Sequence, residues 1–235
     1  MKIDVGFDVR SDSDGKDPDF ASKTLRQYHR LLWSKPLPSG EKMELQYLPS
    51  TYDYLIFEPK SGTMFLSSDS ITTSMSAHKR LKPILSEIPQ DQIKRFKSLG
   101  STIGARILFP GKKVEGLQTI NQARGFSSQI KDRFDLTLEC IRLFYLNEPS
   151  PLSDVLGRYS EFFELFGDFR GYVDFFLLQD LVEDPKVKFF LPFESFEKTG
   201  PYPKSVEDYF DYMRNSIEFV VSRNERIANR APNQT

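Results

Sequence analysis

"TINQARGFSSQIKDRF", residues 119–134, marks the place where the hydrophobic period of the chain changes. Before it, apolar residues recur mostly at every second position. After it they recur at helical spacing: Phe134, Leu138, Ile141 and Tyr145 fall on one face, as do Leu152, Leu156, Tyr159 and Phe163, and then Phe169, Val173 and Phe176. Strands first and helices later predict an α+β fold in preference to a wound α/β sheet. The expected architecture is a β-rich half with two helices over 1–126, packed against a mostly helical half over 127–235. A chain of 235 residues fits one domain, since domains usually run about 50 to 250 residues.

Working toward the N-terminus, "KIDVGFDV" alternates Ile3, Val5, Phe7 and Val9 and predicts an opening strand. "SKTLRQYHRLLW" sets Leu25, Tyr28 and Leu32 on one helical face with Ser22 as N-cap, and the two prolines of "SKPLPSG" end it. "MELQYL", "YDYLIFE" and "TMFLSS" read as short strands of a meander, with "PKSG" turning the chain between the second and third. A helix over "IPQDQIKRFKSLG" stops at Gly100, and "STIGARILF" and "VEGLQTI" read as two further strands. Toward the C-terminus, "VKFFLPF" predicts an edge strand, and "SVED" resembles a capping box that starts a last long helix.

Hydrophobic residues at 39% and aromatics at 14% exclude an intrinsically disordered chain. The single cysteine, Cys140, lies among Leu and Ile and suggests a reducing compartment. "MKIDVGFDVRSD" has no apolar signal core, and no run approaches the roughly 20 apolar residues of a membrane span. The expectation is a soluble, cytoplasmic protein with no membrane partner.

A net charge of −1 conceals a strong asymmetry. Residues 79–133 hold 12 Lys and Arg against 4 acids, a balance of +8, whereas residues 134–235 hold 11 against 18, a balance of −7. The basic segment either packs against the acidic helical half or attracts phosphates. In the second case Lys79, Arg80, Lys82, Lys94, Arg95, Lys97, Lys112 and Lys113 would form a track for nucleic acid.

Familiar motifs are missing. There is no G-x-x-x-x-G-K-[ST], no G-x-G-x-x-G and no G-x-S-x-G. With only His29 and His78, a histidine-rich zinc site is excluded by count. "RSDSDG" lacks the first and twelfth carboxylates of a calcium loop. The Phe-rich stretch from Phe162 to Phe196 has the spacing of core.

Three polar clusters remain. In "TINQARGFSSQIKDRF", Arg124, with Gly125 allowing close approach and Ser127 or Ser128 as a helix N-cap, suits an anion; Arg133 adds charge and Asn121 can orient a ligand. In "YHRLLWSKPLPSG", Trp33 can stack while Lys35 meets a phosphate, and His29 is a candidate general base. In "FGDFRGYVDFF", Arg170 needs solvent, an acid or a ligand, and Asp69 of "LSSD" would add an acceptor or a water or metal ligand at the same opening.

The runs "YHRLLWSKPLPSG", "TINQARGF", "DRFDLTLECIR" and "DFRGYVDFFLLQDL" resemble those of a family of uncharacterised bacterial and phage-associated proteins that carries no assigned activity. The resemblance implies a shared fold and a bacterial or phage setting, and no reaction. From the residues, the leading expectation is a cleft between the two halves that binds a phosphorylated small molecule or nucleotide, with metal-assisted or His29-assisted hydrolysis or transfer as its chemistry. Arg124→Ala is then expected to remove binding with little loss of melting temperature. Nucleic-acid binding and a protein-interaction module are the alternatives; the cofactor is unknown, with a divalent metal considered.

Overall fold

Asp4 turns the chain where a strand was expected. Its carboxylate accepts from Gly6 N at 2.9 Å and its carbonyl from Phe7 N at 3.2 Å, so the period-two pattern is spent on a turn that still buries Ile3 and Val9. The computed structural model describes residues 2–47, 54–183 and 185–230. After a short helix, α1 (Pro18–Ala21), helix α2 (Lys23–Trp33) starts where Ser22 Oγ accepts from Leu25 N at 3.0 Å. Such a cap contributes about 1 kcal/mol.

The meander forms as read. Strands β1 (Gln46–Tyr47), β2 (Leu55–Phe57), β3 (Met64–Ser70) and β4 (Arg106–Pro110) make one antiparallel sheet in that order. Residues 48–53 of the first two readings lie outside the described residues. β4 is buried along its whole length and pairs Ile107 with Asp69 and Phe109 with Ser67. Between β3 and β4 come α3 (Lys82–Glu87), which carries no period-two or cap signal, and α4 (Gln90–Leu99).

"VEGLQTI" is not a strand. Glu115 and Gly116 both take positive φ, 51° and 75°, and Thr119 then opens a complete capping box with Gln122, so α5 (Ile120–Phe126) begins seven residues before the predicted change of period at Ser127. The next helix, α6 (Phe134–Tyr145), follows Arg133. It leads to α7 (Ser153–Arg158), α8 (Ser160–Glu164) and α9 (Phe169–Phe176). "VKFFLPF" is strand only at its start, where β6 (Lys186–Val187) pairs with β5 (Val182–Glu183). α10 (Val206–Arg230) starts where Ser205 Oγ accepts from Asp208 N at 3.1 Å.

One continuous hydrophobic cluster runs through both halves. Its centre is aromatic: Phe162, Phe166, Tyr172, Phe175 and Phe176 pack ring on ring, and Trp33 joins them at 5.2 Å from the Phe176 ring. Arg223 of α10 ties this cluster to the sheet. Its guanidinium donates to the carbonyls of Phe176 (2.9 and 3.1 Å), Gly104 (2.8 Å) and Arg106 (2.7 Å), and burial lowers its pKa to about 9. One residue further, Asn224 Oδ1 accepts from Gly104 N at 2.8 Å; a Cβ at Gly104 would lie 2.4 Å from that oxygen, so glycine is what lets α10 approach. Two more α10 side chains fix the segment after β3, since Tyr209 donates to Ser74 O and Tyr212 to Thr73 O.

Candidate functional site

Arg124 does not face solvent. It is fully buried: Nε donates to Thr137 Oγ1 at 2.9 Å, Nη1 pairs with Asp69 Oδ2, and Nη2 donates to the carbonyls of Ser70 and Asp132, each at 3.2 Å. Every nitrogen of the group is used internally. Arg133 is equally buried and forms a forked pair with Asp135, whose Oδ2 also accepts from Phe190 N at 2.9 Å. The anion pocket expected at "TINQARGF" is therefore an internal ion-pair junction, and the helix N-terminus does not complete it: Ser128 is exposed in a turn, and α6 is preceded by Arg133, which makes no side-chain cap.

His29 and Trp33 are also interior. Trp33 Nε1 donates to His29 Nδ1 at 3.0 Å, and an indole nitrogen can only donate, so the proton of the neutral ring sits on Nε2 and goes to Ser68 Oγ at 3.0 Å. Ser68 in turn meets the Asp19 carboxylate, which pairs with Arg106 at 2.7 Å. This chain runs the wrong way for a serine nucleophile, because His29 gives Ser68 a proton and has no free nitrogen to take one. Burial lowers the His29 pKa to about 3. Trp33 has no open face for a ligand.

The other predicted residues scatter. Lys35 Nζ donates to Phe175 O at 2.5 Å between the Trp33 and Phe175 rings, and burial lowers its pKa to about 8. Asn121 Nδ2 reaches Ser67 Oγ at 3.4 Å and Ser68 O at 3.3 Å. Arg170, with its side chain 81% exposed, lies 3.9 Å from Asp174 on the surface of α9. The three clusters do not converge on one opening.

Of the predicted residues, Arg170 borders a mostly apolar cavity of about 190 Å³ with Phe169 and Val173, and the one that reaches a polar cleft is Asp69. Its side chain is 19% exposed and lines a polar cleft of about 390 Å³ with Ser70, Thr72, Lys97, Arg106 and Asp132. Burial is the largest influence on its carboxyl and raises it; Arg124 pulls the other way and Asp19 and Asp132 add to the rise, leaving a pKa of about 6. A carboxyl that titrates near neutrality can serve as acid or base. β3 delivers Asp69, the start of β4 delivers Arg106, the end of α4 delivers Lys97, and the loop before α6 delivers Asp132. A second cavity, about 270 Å³ between Phe65, Lys112 and Phe162, receives none of the buried ion-pair network.

Two charged residues of the cleft, Arg106 and Asp132, escaped sequence reading. Arg106 stands in an apolar strand, a charge among Ile, Leu and Phe that signals an internal partner or a site. Asp132 is only one polar residue among several, and nothing in the sequence distinguishes it. Among the described residues, no group of three or more His, Cys, Asp and Glu gathers as metal ligands, and no helix is long and apolar enough to cross a membrane. The large exposed apolar side chains include Phe126 at 70% and Leu146 at 52%.

A polar cleft at the end of a small antiparallel sheet, backed by buried arginine pairs, describes a class of architecture and no reaction. The chain belongs to a family of unknown function, DUF6994, whose model matches residues 3–227. No curated protein and no solved structure matches it.

Arg124→Ala is expected to destabilise the fold by roughly 3–5 kcal/mol, because it removes the fully buried guanidinium that meets Thr137, Asp69 and the carbonyls of Ser70 and Asp132. Urea unfolding measures this, and a change under 1 kcal/mol would overturn the junction role. His29 has a folded pKa far below its unfolded value, so the unfolded state binds the extra proton. Its contribution to stability is intact above about pH 6.5 and is lost on acidification toward pH 3, by up to about 1.4 kcal/mol per pH unit. Stability of wild type and His29→Gln, compared between pH 4 and 7, should converge at low pH; parallel profiles would contradict a buried neutral imidazole.

Proposed function

We propose that the Asp69 cleft binds a phosphorylated small molecule, with the phosphate held by Arg106 and Lys97. The observation that carries this reading is the unused edge of Arg106. The residue is only 5% exposed and its Nη1 donates to Asp19 and Ser70, yet Nε is buried without a partner and Nη2 has none among the described residues. Nη2 is the donor a phosphate oxygen reaches from the cleft; Nε is closed to solvent and completes the parallel fork once the side chain shifts, which would satisfy a buried donor whose lack of a partner costs about 1–3 kcal/mol. Lys97 is exposed at the same cleft and makes no ion pair or side-chain hydrogen bond among the described residues. Asp69 is the acid or base for any hydrolysis or transfer on the bound ligand. The setting in this reading is cytoplasmic and bacterial or phage-borne.

A second reading has its own support. Lys79, Arg80, Lys82, Lys94, Arg95, Lys97, Lys112 and Lys113 are all exposed, and none forms an ion pair among the described residues, so the acidic helical half does not compensate them through contacts. Such a surface suits a nucleic-acid backbone.

Inorganic phosphate at about 100 times its dissociation constant should add about 2.7 kcal/mol of stability, read as a rise in melting temperature, and Lys97→Ala should weaken it at least several-fold. No rise at any concentration would sink the cleft reading. For the second reading, affinity for a 20-nucleotide duplex should fall by about 10³-fold or more between 50 and 200 mM salt if six or more phosphates are contacted. A flat salt response would reject it.

A further inference from the structure

We infer that the ligand of this cleft is a polyol phosphate, such as a sugar phosphate, whose hydroxyl groups are read by the carboxylates of Asp132 and Asp69. This inference rests on the phosphate reading above and specifies what the phosphate is attached to. The two carboxylates line the same cleft as Arg106 and Lys97. A phosphate only accepts hydrogen bonds at its ionised oxygens, and so does a carboxylate. A bare anion seated there would leave both carboxylates facing like charge. A ligand that carries hydroxyl donors next to its phosphate satisfies both kinds of group at once.

Asp132 is built for such a contact. Its main chain is tied on both sides to Arg124, with Asp132 N donating to Arg124 O at 3.3 Å and Arg124 Nη2 donating to Asp132 O, while its carboxylate accepts no hydrogen bond among the described residues. Lys131 and Asp132 are consecutive non-glycine residues at positive φ, 47° and 61°, a conformation that costs Lys131 roughly 1–2 kcal/mol and that aspartate adopts more readily. The Arg124 junction and the bonds from Lys131 Nζ to Gly125 O and Phe126 O hold the segment in place. Gly125 leaves room beneath it: a Cβ there would stand 3.2 and 3.4 Å from the two carboxylate oxygens. Asp69 Oδ1 accepts from Ser70 N at 2.8 Å and Oδ2 from Arg124, which leaves one lone-pair site on each oxygen.

The same walls argue against a nucleotide. The aromatic residue lining the cleft, Phe96, is buried, and Trp33 is interior, so a nucleobase finds no ring to stack on. Thr72 and Ser74 supply hydroxyls instead. A volume of about 390 Å³ lies within the roughly 300–1,000 Å³ of small-molecule sites and suits a short phosphorylated chain or ring.

The test is calorimetric titration of wild type, Asp132→Asn and Gly125→Ala with inorganic phosphate, glycerol 3-phosphate, ribose 5-phosphate and ribose. Asparagine tolerates positive φ, so the first variant keeps the backbone while removing the charge. The second keeps the charge and crowds it. Ribose 5-phosphate or glycerol 3-phosphate should bind wild type about 10-fold or more tightly than phosphate does, and both variants should erase most of that gain while phosphate affinity holds or improves. Sugar phosphates that bind no better than phosphate, or an advantage that survives Asp132→Asn, would overturn this inference and leave the phosphate site standing. Absence of binding by phosphate and both esters would overturn the phosphate reading and this inference together.

Discussion

The pair between Arg124 and Asp69 holds together the parts that meet at the cleft. A guanidinium with no exposure is tolerated in an interior only when each donor is met, and here the donors are met by β3, by Thr137 of α6 and by the carbonyl of Asp132. One side chain therefore sets the end of the sheet, the start of the helical half and the loop between them in a single geometry. It also determines how Asp69 is presented, with one oxygen held inward and part of the carboxyl left open to water.

Arg133, Arg106 and Arg223 repeat this logic with different partners. Arg133 takes a fully buried carboxylate, Arg106 takes one partly open carboxylate and keeps an unused edge, and Arg223 takes carbonyls alone. The gradation follows from position. Where the arginine is wrapped on all sides, the protein supplies every acceptor; at the cleft wall, Nε and Nη2 of Arg106 have no acceptor among the described residues. That difference separates Arg106, whose donors are not all met, from Arg124, a group that supports its neighbour.

Charge along the chain follows the same division. The exposed cations of the basic segment form no ion pair among the described residues, and the buried arginines take acids wherever the chain brings one: Asp69, Asp19 and Asp135 lie 55, 87 and 2 positions away from their partners. Segment counts show that charge is unevenly distributed. They do not show which cations are interior, because burial of an arginine is decided by what closes over it.

The sequence by itself determined the α+β class, the three-strand meander with its turn at "PKSG", the Ser22 cap, the long last helix and the aromatic core, since each rests on spacing or on contacts within a few residues. Where local signals conflicted, spacing misled: Asp4 closed a turn inside an alternating run, and Glu115 with Gly116 broke another. Tertiary structure alone decided which polar residues face the cleft. "NQARG" has the composition of an anion loop, yet Asp69 and Thr137 claim Arg124 from the other side of the fold, and the cleft is assembled from β3, β4, α4 and the 127–133 loop. A charged side chain takes whatever partner lowers its desolvation cost, and that partner is set by the packing of distant segments, which no local pattern records.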